Sequence, residues 1–529
     1  GIGSLFGFFG STDAKNSEMT IAHLSQGGLG MSDRDYYINT DARTSEIRDA
    51  YIKYIQDMLV LTGINQEDAI NKASVIMNIE TRLANASFTR LENRDPNATY
   101  NKKSKEEIKQ LYSNLEIDNY FHNLGLEYDG DINVRQPKFF EEVNQMLADV
   151  NIEDWKTYLY WNLINSTASY LSTDFEELSF DFYGRAMQGS QKMRPRWRRV
   201  LASTNGALGD AIGQKFAEKY FPPQAKERMI SLVENLRVAL GQRIENLEWM
   251  SAETKGEAKE KLATIWVKIG YPDQWRDFSE LKVGREAYVL NVLAANKNNR
   301  IYNLNKIGKP VDKNEWFMTP QTVNAYYAPS LNEICFPAGI LQPPFFYLDG
   351  DDAINYGAIG AVIGHEMSHG FDDQGRLYDK EGNLKEWWTD EDAERFNART
   401  QVLVDQYNKI IVLGDLHADG QLSLGENIAD LGGLNISYTA FKNAQKENPQ
   451  NEKIDGYTTD QRFFLSWARV WAQNIRDKEI IRRTKEDVHS LGINRVNGPI
   501  ANMPEFHAAF NVKPGNNLYL PEEERASIW

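Results

Sequence analysis

Apolar side chains recur at three- and four-residue steps over much of this 529-residue chain, and this spacing limits the fold more than any other feature. Ile47, Tyr51 and Ile55 place one apolar stripe along a helix, and Gly63 stands where that helix should end. Further helices are predicted over residues 67–86, 224–249 and 251–268. The first half is therefore expected to be helix after helix, in a mainly α fold.

A change of period marks the middle of the chain. Residues 323–339, VNAYYAPSLNEICFPAG, form two short alternating runs around a turn, which predicts a small β-hairpin. Helical patterns return over residues 353–369, over 390–410 behind a capping signature at Thr389, and again from Leu424. Because one hydrophobic core rarely serves so long a chain, two or more structural units are expected.

Charge and composition exclude several classes of function. A formal net charge of -16 argues against nucleic-acid binding, which needs a positive surface. We interpret the basic run KMRPRWRR at residues 192–199 as a solvated face whose arginines pair with the excess carboxylates. The single cysteine, Cys335, excludes an internal disulfide and is expected to be a buried, inert thiol. No apolar stretch approaches the length of a membrane span.

The run GHEMSHG at residues 364–370 carries the first chemical motif. Four-residue spacing on a helix brings His365 and His369 onto one face, where two imidazoles can share a metal ion. Glu366 projects beside them, as suits a general base that takes a proton from a zinc-bound water. Small residues before the motif, such as Gly357 and Gly360, let a neighbouring element pack closely. A buried zinc site is therefore expected.

The run GENIAD at residues 425–430 supplies the third ligand that a catalytic zinc site requires. Glu426 and Asp430 are four residues apart, so a helix starting near Leu424 presents both carboxylates on one face. One carboxylate can bind the metal while the other orients a histidine that binds it. Asp430 can accept a proton from the far nitrogen of a ligating histidine and fix its tautomer. The alternative is that both acids only favour a helix N-terminus.

These and neighbouring motifs resemble the neprilysin family of metallopeptidases, which includes the endothelin-converting enzymes and the bacterial oligopeptidases. The resemblance is carried by VNAYY at 323–327, FPAGILQPPFF at 336–346, GHEMSHGFDDQGR at 364–376, GENIADLGG at 425–433 and INRVNGP at 493–499. It extends at lower density to both ends of the chain. Since this chain cannot form the disulfides of the mammalian members, it is most similar to the bacterial, oligopeptidase O-like members.

The resemblance implies two mainly helical lobes that enclose a central cavity, with a thermolysin-like C-terminal lobe that carries a small β-sheet. We expect residues 1–240 to form a lid lobe with interlobe linkers and residues 241–529 to form the catalytic lobe, with interleaving allowed. It also implies one Zn²⁺ per chain, held by His365, His369 and Glu426, with Glu366 as the base.

The resemblance further assigns roles around the metal. Asp430 matches the partner of a ligating histidine, and Asp372 matches a second supporting carboxylate. His489, oriented by Asp487, matches a donor to the developing oxyanion, and Arg495 matches a residue that holds substrate carbonyls. Residues expected to contact the peptide backbone are Asn324 and Ala325. Residues expected to line the pocket after the cut are Ile340, Phe345, Val362, Val470 and Trp471; plain core packing is the alternative for these five.

The function implied is a zinc-dependent endopeptidase that cuts oligopeptides on the amino side of large hydrophobic residues. The alternative is a catalytically inactive peptide-binding protein on the same fold. Another zinc peptidase architecture is the alternative among enzymes, and it is disfavoured because in thermolysin-like relatives the third ligand lies much closer to the histidine motif than Glu426 does to His369.

The partners expected are oligopeptides, with neither nucleic acid nor a membrane span. For a bacterial member, the expected compartment is the cell envelope, either periplasmic or secreted, and a cytoplasmic location also fits. Family members carry a long segment upstream of the stretch that matches residues 5–37. That segment is therefore an expected partner of the early helices, and without it these helices are expected to expose an apolar patch.

Overall fold

The computed structural model describes residues 4–449 and 452–529. Contacts between Cα atoms divide the chain into two compact units. Unit 1 comprises Gly1–Leu208, Asp277–Val311 and Arg476–Arg482, and unit 2 comprises Gly209–Arg276, Asp312–Ile475 and Arg483–Trp529. The assignment of lid and catalytic lobes to residues 1–240 and 241–529 stays a prediction.

Helices account for most of the described residues, as expected for a mainly α fold. In chain order they are α1 (Asp35–Ile38), α2 (Ala42–Leu61), α3 (Gln66–Ala86), α4 (Arg90–Arg94), α5 (Lys105–Leu111), α6 (Ile117–Leu124), α7 (Pro137–Asp149), α8 (Ile152–Thr167), α9 (Thr173–Ser179), α10 (Arg196–Tyr220), α11 (Pro223–Glu245), α12 (Ala252–Thr264), α13 (Tyr288–Leu304), α14 (Asp352–Asn355), α15 (Ala361–His369), α16 (Asp390–Asn408), α17 (Leu424–Glu447), α18 (Thr459–Val470), α19 (Asp477–Glu486), α20 (Gly492–Ala501) and α21 (Pro504–Phe510).

The strands form small sheets. They are β1 (Phe6–Asp13), β2 (Asn16–Gln26), β3 (Lys102–Lys103), β4 (Ile132–Val134), β5 (Trp266–Gly270), β6 (Tyr326–Ala328), β7 (Glu333–Pro337), β8 (Ile411–Leu413) and β9 (Leu416–His417). Their orders are β1-β2-β4-β3, β5-β7-β6 and β8-β9. Within the described residues the fold is thus mainly helical with small sheets, as predicted.

Unit 1 begins with a hairpin that the sequence analysis did not predict. β1 pairs antiparallel with β2, and Asp13 closes the turn by accepting a hydrogen bond from the Lys15 amide at 3.0 Å. Aromatic and β-branched side chains in this stretch favour a pleated, half-buried strand. The expectation of uninterrupted helices in the first half was therefore wrong here, although α2 ends as predicted, with Gly63 at φ +92.

Unit 2 holds one extended hydrophobic core, which packs α11, α15, α17 and α18 around the sheet β5-β7-β6. The predicted hairpin is confirmed, because β6 and β7 pair antiparallel, with Tyr326 opposite Cys335. Cys335 itself is fully buried, as expected. The helix predicted over residues 251–268 is wrong at its end. It stops at Thr264, and Trp266–Gly270 pairs in parallel with β7, since its apolar and β-branched residues favour a strand.

Two further features are the apolar content of the long helices and an exposed apolar stripe on α8. Among the described residues, no helix combines the length and the apolar content that crossing a bilayer requires. On α8, Ile152, Leu159 and Leu163 are 66%, 47% and 44% exposed, and their spacing puts them on one side of the helix. These side chains form an exposed apolar stripe along α8.

Candidate active site

Close packing of α15 on α17 builds the site. A Cβ atom on Gly364 would meet the Gly433 carbonyl oxygen at 2.6 Å, and one on Gly433 would meet the His365 amide nitrogen at 2.6 Å. A Cβ on Gly357, in the π-helical turn before α15, would lie 2.1 Å from the Phe463 carbonyl oxygen. The small residues therefore allow the backbones to touch, as the sequence predicted, and the histidine motif is buried at this contact.

Three side chains converge between the two helices. The Nε2 atoms of His365 and His369 are 3.0 Å apart, and Glu426 Oε2 lies 3.3 Å and 3.7 Å from them. All three ligand atoms lie within 4.8 Å of one another. Two imidazole nitrogens and one carboxylate oxygen are the donor set of many catalytic zinc sites. These residues can hold a metal ion.

The electrostatics of the three residues fit a cation. Glu426 Oε2 is buried and accepts no hydrogen bond from the described residues, so a positive ion would supply the partner it lacks. Burial alone would raise the pKa of Glu426, but the histidines hold it well below its ordinary value. Burial likewise opposes protonation of His369, yet Glu426 and Asp372 raise its pKa to about 10. The carboxylates thus create a field that favours positive charge at this point.

Each histidine is oriented by an aspartate on its other nitrogen. His365 Nδ1 lies 2.8 Å from Asp430 Oδ1, and His369 Nδ1 lies 2.7 Å from Asp372 Oδ2. Asp372 Oδ1 also accepts from the Gly375 amide at 2.7 Å, which fixes its carboxylate. When Nδ1 donates to a carboxylate, Nε2 is left with a lone pair for a metal. The carboxylate partners therefore set the tautomer that ligation requires.

Glu366 differs from the other acids of the site. Its side chain is 6% exposed, yet it makes no hydrogen bond or ion pair with any residue of the described ranges. Burial raises the pKa of Glu366, and the positive charge of His365 and His369 only partly opposes this. A buried carboxylate with a raised pKa and no protein partner can accept and return a proton.

His489 and Arg495 both reach this cluster. His489 Nε2 lies 3.2 Å from Glu426 Oε2, and its Nδ1 lies 2.9 Å from Asp487 Oδ1, so Asp487 is placed to orient the ring. Arg495 donates to Asp430 through Nε at 2.8 Å and Nη2 at 2.7 Å, and its guanidinium lies 3.9 Å from the Trp471 ring centroid. Its Nη1 group makes no hydrogen bond with the described residues. Both side chains could therefore meet a ligand beside the metal ligands.

The residues expected to contact the peptide occupy two positions. Asn324 and Ala325 immediately precede β6, which is the edge strand of its sheet, and the Asn324 side chain is exposed. Phe345, Val470 and Trp471 are half-buried and pack against the core of unit 2. Ile340 and Val362 are 4% and 7% exposed and belong to that core. Phe345, Val470 and Trp471 have the partial exposure that a pocket wall needs, whereas Ile340 and Val362 are buried like ordinary core residues.

Sequence reasoning missed Lys261. This lysine of α12 is 1% exposed, and its Nζ donates to the carbonyl oxygens of Gly370, Gly375 and Tyr378 at 2.7, 2.8 and 2.6 Å. Burial lowers its pKa to about 7 in spite of nearby aspartates. Lys261 thus fixes the loop that contains Asp372, and the Asp372 carboxylate in turn orients His369. No local pattern marks it, because it lies 109 residues before Gly370.

Comparison with protein families gives two matches. Residues 1–272 match the N-terminal model of "Peptidase family M13", and residues 324–526 match the second model of the same family. Together the two matches cover most of the chain and include all the site residues described above.

Individual proteins agree with the family match. The chain is 34% identical to an endothelin-converting enzyme homolog of Locusta migratoria over 98% of this chain and 74% of the relative. It is 34% identical to human neprilysin over 99% of this chain and 74% of that protein.

Solved structures of two bacterial proteins share the fold. One is the Mycobacterium tuberculosis zinc metalloprotease Zmp1 in complex with an inhibitor, with a TM-score of 0.96 and 40% identity over 100% of this chain and 81% of that one. The other is PepO from Lactobacillus rhamnosis, with a TM-score of 0.91 and 29% identity over 99% and 82% of the two chains. This chain therefore belongs to peptidase family M13, the metalloendopeptidases of the neprilysin and endothelin-converting enzyme type.

Proposed function

We propose that this metallopeptidase uses one Zn²⁺, held by His365, His369 and Glu426, to hydrolyse oligopeptides on the amino side of large hydrophobic residues. The observation that carries the proposal is the buried Glu366, which has no hydrogen-bond or ion-pair partner in the part of the chain that the structure describes and lies next to three convergent side chains able to hold a metal. Such a carboxylate is costly to bury unless it has a chemical task. A protein that only binds peptides has no need of it.

Zinc, when bound, lowers the pKa of a coordinated water and polarises the scissile carbonyl group. Glu366 takes the proton that the attacking water loses and returns it to the leaving amine. Asp430 and Asp372 keep both imidazoles in the ligating tautomer throughout.

His489 and Arg495 complete the proposed mechanism. His489, held by Asp487, donates to the oxygen on which negative charge develops. Arg495 is fixed by its two hydrogen bonds to Asp430, which leaves Nη1 to hold a substrate carbonyl. Fixed donors of this kind stabilise developing charge without reorganising at the moment of reaction.

Two features support the choice of substrate. The edge strand β6, with Asn324 and Ala325 before it, offers unpaired backbone groups to an extended peptide. The half-buried Phe345, Val470 and Trp471 offer apolar surface to a large hydrophobic side chain. A cleavage-site profile on a mixed peptide library tests this preference, and cuts spread evenly over side-chain types would contradict it.

Two variants separate the roles of the acids. Glu366→Gln is expected to keep stoichiometric zinc and to lower kcat by several orders of magnitude, because it removes the base and no ligand. Glu426→Ala is expected to lose the metal. Metal analysis and a quenched-peptide assay, with and without chelator, measure both outcomes, and exposed Glu253→Gln serves as the control.

Near-normal turnover of Glu366→Gln would exclude this residue as the base. Peptide binding by zinc-loaded wild-type protein without any chelator-sensitive cleavage would favour the inactive binding protein instead. The cell-envelope location expected of a bacterial member stays a prediction.

A further inference from the structure

Unit 1 contains a large cavity that the proposed mechanism does not use. Its volume is about 820 Å³, within the range of ligand-binding sites, and α9, α10 and α13 contribute to its walls. Four arginines of the basic run at residues 192–199 line it, namely Arg194, Arg196, Arg198 and Arg199. The only acidic residue among its lining residues is Glu176. The cavity is therefore strongly positive in a chain of net charge -16.

The basic run does not pair as its sequence suggested. Arg199 alone follows that expectation, with Nε and Nη2 at 2.7 and 3.0 Å from the two Glu176 carboxylate oxygens. Arg194 and Arg196 make no side-chain ion pair or hydrogen bond with any residue that the structure describes, and both are exposed. Arg198 likewise has no ion pair within the described ranges, and its guanidinium lies 5.1 Å from the centroid of the Trp197 ring. The interpretation of this run as arginines neutralised by surplus carboxylates was wrong for three of the four.

Concentrated positive charge without counter-charge is unfavourable in the free protein. The chain carries 75 acidic residues against 59 lysines and arginines, so pairing partners are plentiful elsewhere. Like charges held close together repel, and an anionic ligand relieves that repulsion. Guanidinium groups also bind carboxylates in a two-point geometry that lysine cannot offer. The open arginines are thus suited to carboxylate groups of a ligand.

Aromatic side chains form another part of the wall. The Tyr288 hydroxyl group donates to Ser203 Oγ at 2.5 Å, and its ring packs edge-on against Tyr170 at 6.1 Å between centroids. This contact ties α13 to α10 and to the turn before α9, which keeps the cavity walls in place. Aromatic faces can pack on the aliphatic stems of glutamate side chains. The lining therefore combines charge recognition with apolar contact.

We propose that this cavity binds peptides that carry clustered Asp or Glu. The inference concerns a binding site of unit 1 that is separate from the proposed metal site of unit 2. A short peptide suits the site better than a nucleic acid, because the net charge of -16 repels a long polyanion beyond the cavity.

The experiment measures binding without catalysis. In the Glu366→Gln background, a fluorescein-labelled hexaglutamate peptide is titrated at low ionic strength beside a hexaglutamine peptide and a single-stranded oligonucleotide. Hexaglutamate is expected to bind at least about tenfold more tightly than hexaglutamine, with affinity that falls as salt rises. Arg194→Glu/Arg196→Glu is expected to weaken it about tenfold or more. The neutral pair Arg194→Gln/Arg196→Gln should give an intermediate loss.

A matched control separates the cavity from overall charge. Lys53→Glu/Lys156→Glu makes the same change in net charge at two exposed positions of unit 1 outside the cavity, each in a surface ion pair. It should leave hexaglutamate affinity within about twofold of the parent. Equal binding of hexaglutamate and hexaglutamine, equal losses in both charge-reversal pairs, or preference for the oligonucleotide would overturn the proposal.

Discussion

Asp430 connects His365, which we propose as a metal ligand, to the residue proposed to hold the substrate. Its Oδ1 atom lies 2.8 Å from His365 Nδ1 and 2.7 Å from Arg495 Nη2, and it is 1% exposed. Burial alone would raise the pKa of Asp430, but Arg495 and then His365 hold it below its ordinary value. One ionised carboxylate therefore orients an imidazole and a guanidinium at once, through charge-assisted hydrogen bonds.

Asp430→Asn tests this coupling. The amide cannot carry the negative charge that raises the basicity of His365, so zinc affinity is expected to fall by about 10- to 100-fold. The catalytic rate of the zinc-saturated variant should fall as well, because Arg495 loses its counter-charge. Competition with a chromogenic chelator measures the affinity, and Asp405→Asn, at an exposed position of α16, is the control. Wild-type zinc affinity in Asp430→Asn would show that this carboxylate does not tune the ligand.

At the residue scale, the sequence predicted residues that are related by helical spacing, but it did not predict residues whose partners are distant in the chain. His365, His369 and Glu366 could be inferred because four-residue spacing maps directly onto one helix face. Asp430 could be inferred in the same way from Glu426. Lys261 could not, because its three carbonyl partners come from a loop more than a hundred residues later. A backbone contact of that kind leaves no pattern in one sequence.

At the scale of elements, the glycines of α15 and α17 set the distance between the metal ligands. A side chain on Gly364 would overlap the backbone of Gly433, and a side chain on Gly433 would overlap the backbone of Ala361 and His365. His365 and Glu426 lie on these two helices, so their separation depends on this contact. The packing of the two helices therefore also sets the spacing of the side chains proposed to bind the metal.

Gly433→Ala is expected to push α15 and α17 apart. Its Cβ would lie 2.6 Å from backbone atoms of Ala361 and His365, which cannot move as a flexible side chain would. We expect a loss of about 1–3 kcal/mol in stability and weaker zinc binding. Thermal melting and zinc competition measure these effects. The control is Gly241→Ala in α11, where the nearest atom is 3.8 Å away and a small gain in helix stability is expected. Matching behaviour of the two variants would contradict the packing argument.

A buried carboxyl group on α3 gives unit 1 a pH dependence. Glu80 is 1% exposed and accepts hydrogen bonds from the Tyr37 hydroxyl at 2.6 Å and the Tyr51 hydroxyl at 3.0 Å. Burial raises its pKa to about 7, although both hydroxyl groups favour the ionised form. The folded chain therefore holds this proton at pH values where the unfolded chain, with the ordinary pKa of 4.5, has released it.

The sign of the effect follows from this difference in bound protons. The contribution of Glu80 to stability is fully present below about pH 4.5, falls as the pH rises, and is lost above about pH 7, with a total change of about 3 kcal/mol. Glu80→Gln keeps an acceptor but cannot titrate, so its stability should vary less between pH 5 and pH 8. Urea denaturation followed by Trp fluorescence compares the two proteins. Parallel pH profiles would show that Glu80 does not titrate in this range.

Elements could be predicted where apolar period and end signals agree. α16 begins behind Thr389 as expected, since the Thr389 side chain accepts a hydrogen bond from the Asp392 amide. The end of α12 could not be predicted from periodicity, because residues 266–270 carry apolar side chains that suit either structure. Pairing with β7, a distant strand, decides in favour of β5. Long-range pairing likewise accounts for the missed strand β4, which joins β2 and β3.

For the whole molecule, chain length predicted more than one unit but not how the chain is divided. The chain passes between units at residues 208/209, 276/277, 311/312, 475/476 and 482/483. The first passage lies within α10, where Leu208 has the non-helical angles φ -134 and ψ 32. Gly206, Gly209 and Gly213 surround this passage, but they lie inside a helix and not in a linker, so composition alone could not reveal the boundary. The three metal ligands belong to unit 2, whereas the arginine-lined cavity belongs to unit 1.

This separation predicts that metal removal destabilises one unit selectively. Zinc bound only to the folded state of unit 2 stabilises that unit, by about 4 kcal/mol at a free concentration a thousandfold above Kd. After chelation, hydrogen exchange measured by mass spectrometry is expected to accelerate in α15 and α17. Exchange in α2 and α3 of unit 1 should change little, since their core cluster contains none of the ligands. The Glu426→Ala variant, which lacks a ligand, should show fast exchange in α15 and α17 before chelator is added and no further change afterwards. Equal loss of protection in both units would instead mean that they unfold as one cooperative body.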